Sequence, residues 1–129
     1  MSAGYDSAGY DTALLLIRDD RALSREQVAL WLRDRLAGWP EHDVLRVGLI
    51  VVELLDNAQR HGLPRYVLEL VLDRGTGTLT IRLRNRATGG AVDPVPAAGL
   101  LIVEALSEQW GVVPLAGSTT TWVKVRFDD

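Results

Sequence analysis

The chain has 129 residues, of which 47% are hydrophobic and 24% charged, and its net charge is −3. This length and balance are typical of one soluble globular domain with a single core. The negative charge and the absence of a long Lys/Arg run argue against direct binding to nucleic acid, which requires a basic face. The chain has no cysteine, which excludes disulfides, thiolate zinc sites and cysteine nucleophiles. Any metal would therefore be held mainly by oxygen ligands.

The N-terminal region contains a short repeat. The sequence Ser-Ala-Gly-Tyr-Asp occurs at residues 2–6 and again at residues 7–11. Small and polar residues of this kind predict a flexible tail over residues 1–11, followed by a single domain over residues 12–129. The N-terminus lacks the pattern of a signal peptide, and no apolar stretch reaches the roughly 18 residues that span a bilayer. We therefore expect a cytoplasmic protein without a membrane segment.

The first half of the domain predicts one strand and two helices. Residues 12–17 are typical of a strand, and Ser24 is a candidate N-cap for a helix over residues 25–36. Asp43 is the candidate cap of a second, central helix that ends at His61, directly before a Gly-Leu-Pro sequence.

The second half predicts two hairpins and one short helix. Residues 66–72 and 79–83 alternate apolar and polar side chains around an Asp-Arg-Gly-Thr-Gly turn. A loop, a helix and two closing strands follow at residues 85–98, 100–106, 110–113 and 120–127. Helices grouped on one face of the sheet would give an α/β protein of the α+β kind, a two-layer sandwich of helices on a mixed, mostly antiparallel sheet.

Two polar residues interrupt the apolar face of the central helix. Glu53 and Asn57 are four residues apart, so a carboxylate and a carboxamide lie one turn apart on the same face, and His61 continues this stripe. A carboxylate beside a buried face requires a partner such as a metal ion, a water or a ligand, because an unpaired buried charge is costly. The alternative is that both side chains cap the edge of the apolar stripe and face water. Spacing alone does not separate the two interpretations.

The same helix resembles the N-box of the GHKL (Bergerat-fold) ATPase superfamily. The resemblance is carried by Glu-Leu-Leu-Asp-Asn-Ala at residues 53–58, followed by His61 and Gly62. Within the superfamily, most of the chain is similar to the small anti-sigma factor serine/threonine kinases of actinobacterial type, which have a histidine kinase-like ATPase domain. The resemblance implies that Glu53 orients or activates the attacking hydroxyl. It also implies that Asn57 coordinates the Mg²⁺ ion that bridges the phosphates of ATP.

Two further segments extend the resemblance. Gly99 and Leu100 open a short helix similar to the glycine-led helix behind the family's nucleotide lid, and Gly-Ser-Thr-Thr-Thr-Trp at residues 117–122 is similar to its last glycine and hydroxyl box. By its position alone, His61 is a helix C-terminal residue that interacts with the last carbonyls and the helix dipole. The resemblance implies nucleotide binding by a set of residues from several segments, namely Asn57, His61, Asn85, Gly89, Gly99, Leu100 and Thr121.

The chain departs from the family pattern where adenine is expected to bind. Asn85 stands in place of the aspartate that accepts a hydrogen bond from the adenine amino group, and Ala97 replaces a glycine of the next box. The Asn85 oxygen can still accept, but losing a charge-assisted bond costs about 1–3 kcal/mol. Its amide can also donate, so the preference for adenine over other purines could be weaker. The short lid between Gly89 and Ala97 contains Pro94 and Pro96, which restrict its closure.

These observations leave two functions open. The first is an ATP- and Mg²⁺-dependent serine/threonine kinase that binds a sigma factor and phosphorylates an anti-sigma antagonist protein, with Glu53 as base and Asn57 as Mg²⁺ ligand. The resemblance also implies a homodimer that grips its partner with both protomers. The second is a catalytically degenerate module with weak or no nucleotide binding, which regulates through protein–protein contacts, as Asn85 and Ala97 indicate. A metal-dependent hydrolase using Glu53 and His61 is a third hypothesis, without a further ligand cluster in the sequence to support it.

Overall fold

A five-stranded sheet and three helices make up the described part of the chain, which comprises residues 10–17, 25–61, 63–86 and 100–127 of a computed structural model. In chain order the elements are β1 (Tyr10–Ile17), α1 (Arg25–Arg35), α2 (Glu41–His61), β2 (Leu63–Asp73), β3 (Thr78–Arg86), α3 (Leu101–Leu106), β4 (Gln109–Leu115) and β5 (Ser118–Arg126). The predicted α+β class is confirmed. Three predicted features lie outside these ranges: most of the tail, the cap Ser24 and the lid.

The strands lie in the order β1-β2-β3-β5-β4, and each neighbouring pair among the described strands is antiparallel. The predicted, mostly antiparallel sheet is thereby confirmed. Leu15, Leu68, Leu83 and Thr121 lie opposite one another across four strands. Because side chains alternate between the two faces of a strand, one face of the sheet is apolar and the other carries charged residues.

The helices bury their apolar stripes against the apolar face of the sheet. α1 contributes Val28 and Leu32, and Leu36 follows directly after it. α2 contributes the longest stripe, which consists of Val44, Val47, Ile50, Val51, Leu54, Leu55 and Ala58. This recurrence at three and four residues is the pattern that predicted the central helix. Trp31 and Trp39 pack against the core as partly buried residues. No helix within the described ranges has both the length and the hydropathy that crossing a bilayer requires.

The N-terminal turn of α2 differs from the prediction. The helix begins at Glu41, and the carbonyl of Pro40 accepts the backbone N–H groups of Asp43 at 3.0 Å and Val44 at 3.2 Å. Asp43 is therefore inside the first turn and is not the cap. Its side chain is only 1% exposed, and its Oδ1 accepts a hydrogen bond from Arg46 Nη2 at 3.1 Å. The prediction was wrong because it did not weigh Pro40, whose missing N–H suits the start of a helix.

The two hairpins follow the predicted pattern with longer strands. In the first turn, the Gly77 N–H donates to the Asp73 carbonyl at 2.9 Å, and Gly77 has a φ of 68°, which favours glycine. The predicted loop starts too early, since Asn85 and Arg86 are still part of β3. They pair with β5 at Thr119 and Ser118. Polar residues continue the strand here because the neighbouring strand supplies backbone partners.

Candidate functional site

The ends of three strands and one helix meet at one end of the fold. α2 ends at His61, and β2 begins at Leu63, opposite Arg86 at the end of β3. Arg86 also pairs with Ser118, the first residue of β5. Because a single residue separates α2 from β2, the C-terminal end of α2 lies at this end of the sheet. The predicted lid between Gly89 and Ala97 lies outside the described ranges.

The opposite end of α2 provides a second reference point. Arg46 Nη2 donates to the carbonyl oxygen of Arg126 at 2.8 Å, so the first turns of α2 lie beside the C-terminal end of β5. Asn57 is about 16 Å further along the helix at 1.5 Å per residue. Thr121 is about 17 Å back along the strand at 3.3 Å per residue. Asn57 and Thr121 therefore lie at a similar level of the fold, with Glu53 one helical turn nearer the middle.

Glu53 and Asn57 lie at the margin of the apolar stripe of α2. Both side chains are half-buried, and neither forms a hydrogen bond or an ion pair with any other residue that the structure describes. The intervening Asp56 behaves differently, because its Oδ2 pairs with Arg60 Nη2 at 3.2 Å on the outer side of the helix. Each interpretation of the sequence is therefore correct in part. Glu53 and Asn57 lie at the edge of the core, and their polar atoms are available to a ligand.

Asn85 and Thr121 project from the sheet on the same side as the helices. Thr121 lies opposite Leu83, so Asn85 is its diagonal neighbour two residues along β3, and both side chains are buried. Asn85 Nδ2 donates to the carbonyl oxygen of Arg86 at 2.9 Å. This bond occupies one of the two N–H groups of the amide and leaves Oδ1 as an acceptor without a partner among the described residues. An acceptor is the chemistry that recognition of an adenine amino group requires.

The other predicted nucleotide-binding residues are less informative. Leu100 has a side chain only 2% exposed that belongs to the core, so its backbone is the part that could contact a phosphate. His61 is the last residue of α2, at the same end of the fold as Asn85. Gly89 and Gly99 lie outside the described ranges, as does Ala97. Asn57, Asn85 and Thr121 lie towards the same end of the fold, with Glu53 one turn away along α2.

The side chains fit a nucleotide-bound Mg²⁺ ion better than a separate metal centre. Among the residues described, no group of three His, Asp or Glu side chains could hold a metal. Mg²⁺ does not require such a group, since it keeps several waters and binds through one or two protein oxygens together with substrate phosphates. The carboxamide oxygen of Asn57 is a hard ligand of this kind. It is half-buried and has no competing partner in the described part of the chain.

Comparison with known proteins identifies the fold. No protein-family model matches the chain, and no curated protein matches it. The structure of the RsbU and RsbW domains of Rv1364c from Mycobacterium tuberculosis aligns with 88% of this chain, with a TM-score of 0.67 and 25% sequence identity. This chain spans 32% of the length of that structure. The Acinetobacter baumannii histidine kinase AdeS aligns with 99% of this chain and 73% of its own, with a TM-score of 0.54 and 13% identity, a likeness in fold alone.

The chain accordingly has the GHKL ATPase-like fold that residues 53–58 indicated. The sequence interpretation did not single out Thr119, which lies directly opposite Asn85. The signal was present, since Thr119 and Thr121 are two residues apart in a strand and so share a face.

Proposed function

We propose that this chain is an ATP- and Mg²⁺-dependent serine/threonine kinase domain of the anti-sigma factor type. One observation carries the proposal. Glu53 and Asn57 are half-buried one turn apart on α2, without partners among the described residues, towards the end of the fold where Asn85 and Thr121 lie. The partner would be a sigma factor, an anti-sigma antagonist protein, or both in turn. A cytoplasmic location and a homodimer belong to the same proposal.

The proposed mechanism assigns a role to each residue. Glu53 would accept the proton of the attacking Ser or Thr hydroxyl, while the hydroxyl oxygen bonds to the γ-phosphorus and the bond to the leaving oxygen of ADP breaks. Asn57 would hold the Mg²⁺ ion, which neutralises charge on the phosphates when bound. Asn85 Oδ1 would accept from the adenine amino group. The Thr121 hydroxyl would be a further polar group of the nucleotide site. Thr121 is buried on β5 and is the diagonal neighbour of Asn85.

The adenine side of the site favours a second candidate, a module that regulates by protein contacts with little or no nucleotide binding. Asn85 is uncharged, and its amide is already engaged with the Arg86 carbonyl at 2.9 Å. The remaining acceptor is neutral, and neutral hydrogen bonds are roughly half as strong as charge-assisted ones. Nucleotide affinity therefore decides between the two candidates.

The test uses two pairs of matched variants. Glu53→Gln and Asp56→Asn each remove one carboxylate charge from the same two turns of α2. Asp56 pairs with Arg60, whereas Glu53 has no partner among the described residues. Single-turnover hydrolysis of γ-labelled ATP should fall about 100-fold or more in Glu53→Gln, which is typical for loss of a general base. It should be unchanged in Asp56→Asn, and ATP binding should persist in both.

The second pair tests the Mg²⁺ ligand. Asn57→Ala should weaken binding of ATP in calorimetric titration with Mg²⁺ and should make binding insensitive to removal of Mg²⁺. Gln59→Ala removes an exposed carboxamide from the same helix and should change neither property. Equal effects within either pair would refute the assigned role. Failure of the native chain to bind ATP would favour the protein-contact module.

A further inference from the structure

The face of the sheet away from the helices concentrates positive charge. We call Arg82, Arg84, Arg86 and Lys124 the basic sheet face. The three arginines occupy alternate, exposed positions along the central strand β3, and Lys124 lies on β5. This concentration is unexpected for a chain whose net charge is −3.

Most of this positive charge is not neutralised within the protein. Arg82 Nη1 pairs with Glu69 Oε1 at 3.2 Å. Arg84, in contrast, lies between the uncharged residues Val67 and Thr120 on the neighbouring strands. Arg84, Arg86 and Lys124 form no ion pair within the described ranges. Alternate residues of a strand are about 6.6 Å apart, so the three arginines repel one another, and an incoming anion would relieve this repulsion.

The same face has apolar side chains on both flanks. Leu14 on β1 is 61% exposed, and Val113 on β4 is 42% exposed. Together with Arg82, Arg84 and Lys124 they line one concave surface, which also includes Val67, Glu69 and Trp122. The indole of Trp122 lies against Gly111, where an added Cβ atom would be 2.8 Å from Nε1. Because Gly111 lacks a side chain, the aromatic ring can close the surface between β5 and β4.

We propose that the basic sheet face is a docking surface for an extended, acidic and amphipathic segment of a partner protein. Carboxylates at alternate positions of such a segment are also about 6.6 Å apart, which matches the spacing of Arg82, Arg84 and Arg86. Apolar residues of the partner on either side of this segment would contact Leu14 and Val113 on the flanks. The surface lies on the opposite side of the sheet from Asn85 and Thr121, so this proposal does not depend on nucleotide chemistry.

Two other occupants fit this surface less well: a second copy of the chain and a single-stranded nucleic acid. A second copy of the chain would place the basic sheet face against itself about a twofold axis, so like charges would meet. A single-stranded nucleic acid would find one aromatic platform on the described surface, Trp122, where single-strand binders stack successive bases on several aromatic side chains.

The test measures binding of a fluorescent 12-residue peptide that alternates Glu and Val, by anisotropy at low and high salt. The controls are a peptide that alternates Lys and Val and a 12-nucleotide single-stranded DNA. The protein variants are Arg84→Glu/Lys124→Glu and, as a charge-matched control, Arg35→Glu/Arg60→Glu. The control pair reverses two exposed arginines on the helices and changes the net charge by the same amount.

We expect micromolar binding of the acidic peptide to the native chain, at least tenfold weaker binding by Arg84→Glu/Lys124→Glu, and less than a twofold change in the control pair. The neutral variant Arg84→Gln/Lys124→Gln, with its fold checked by circular dichroism, should also lose at least threefold. Equal loss in the control pair, equal binding of the Lys peptide, or tighter binding of the DNA would overturn the proposal. So would a change of sedimentation coefficient in Arg84→Glu/Lys124→Glu alone, which would identify the surface as a contact between copies.

Discussion

Asn85→Asp restores the carboxylate of the GHKL pattern, and we expect it to weaken the fold while it strengthens adenine binding. Asn85 is 9% exposed, and its Nδ2 donates to the Arg86 carbonyl at 2.9 Å. A carboxylate has no hydrogen to donate, so this bond is lost and a charged oxygen approaches a carbonyl oxygen. Loss of the bond costs about 1 kcal/mol, and the unsatisfied buried group adds about 1–2 kcal/mol. The free energy of unfolding should therefore fall by about 2–3 kcal/mol.

The affinity of Asn85→Asp for adenine nucleotides should change in the opposite direction. A charge-assisted hydrogen bond to the amino group is roughly twice as strong as the neutral bond that Asn85 Oδ1 can offer. We expect ATP and ADP to bind about tenfold more tightly, which corresponds to about 1.4 kcal/mol. GTP has no amino group at that ring position, so its affinity should not rise.

Two measurements on the native chain, Asn85→Asp and Asn85→Ala test this reasoning. The first is calorimetric titration with ATP, ADP and GTP in Mg²⁺, and the second is urea unfolding with and without ADP. ADP at 100 times its dissociation constant should stabilise Asn85→Asp by about 2.7 kcal/mol, which offsets most of the loss. Asn85→Ala should lose stability without gaining affinity. The reasoning fails if Asn85→Asp is as stable as the native chain and binds ATP no more tightly.

Two further predictions concern packing. Gly111→Ala places a Cβ 2.8 Å from Trp122 Nε1, so the indole must lift from β4, and urea unfolding should show a loss of about 1–3 kcal/mol. The same change in a Trp122→Ser background should cost less than about 0.5 kcal/mol, and equal losses in the two backgrounds would show that the ring is not the obstacle. Asp43→Ala removes the carboxylate beside Arg46, whose Nε already lacks a partner among the described residues. It should cost about 2–4 kcal/mol in the same assay. Glu41→Ala, which breaks an exposed pair with Arg33, should cost less than about 1 kcal/mol, and a reversed order would contradict the burial argument.

The elements were predictable wherever local periodicity and burial agree. The stripe of α2 from Val44 to Ala58 is buried at the positions that its spacing predicted. The first hairpin follows its Asp-Arg-Gly-Thr-Gly turn, with Asp73 opposite Thr78. The boundary errors have a common cause. Asp43 was displaced from the cap because Pro40 starts the helix, and Asn85 remained in β3 because β5 supplies a partner at Thr119. The residue at which a helix or strand begins or ends depends on contacts with neighbouring residues and strands, which hydrophobic periodicity does not reveal.

Charge illustrates the limit of composition most directly. The net charge of −3 and the absence of a Lys/Arg run argued against nucleic-acid binding, which requires a basic face. The arginines of β3 are separated by buried residues, so they do not form a run in the sequence. The alternation of the strand brings them to one face, and pairing with β5 adds Lys124 to that face. Composition gives the number of charged residues, whereas strand alternation and strand pairing determine on which face of the sheet they lie.

The sequence by itself determined that Glu53 and Asn57 share one face of a helix, because their spacing of four residues is set by the helical repeat alone. It also determined which residues of α2 enter the core, because that stripe follows the same repeat. Only the tertiary structure decided that this pair lies towards the same end of the fold as Asn85 and Thr121, since α2 begins beside the end of β5 and stops one residue before β2. Such proximity depends on strand order and register, which are set by contacts between segments far apart in the chain.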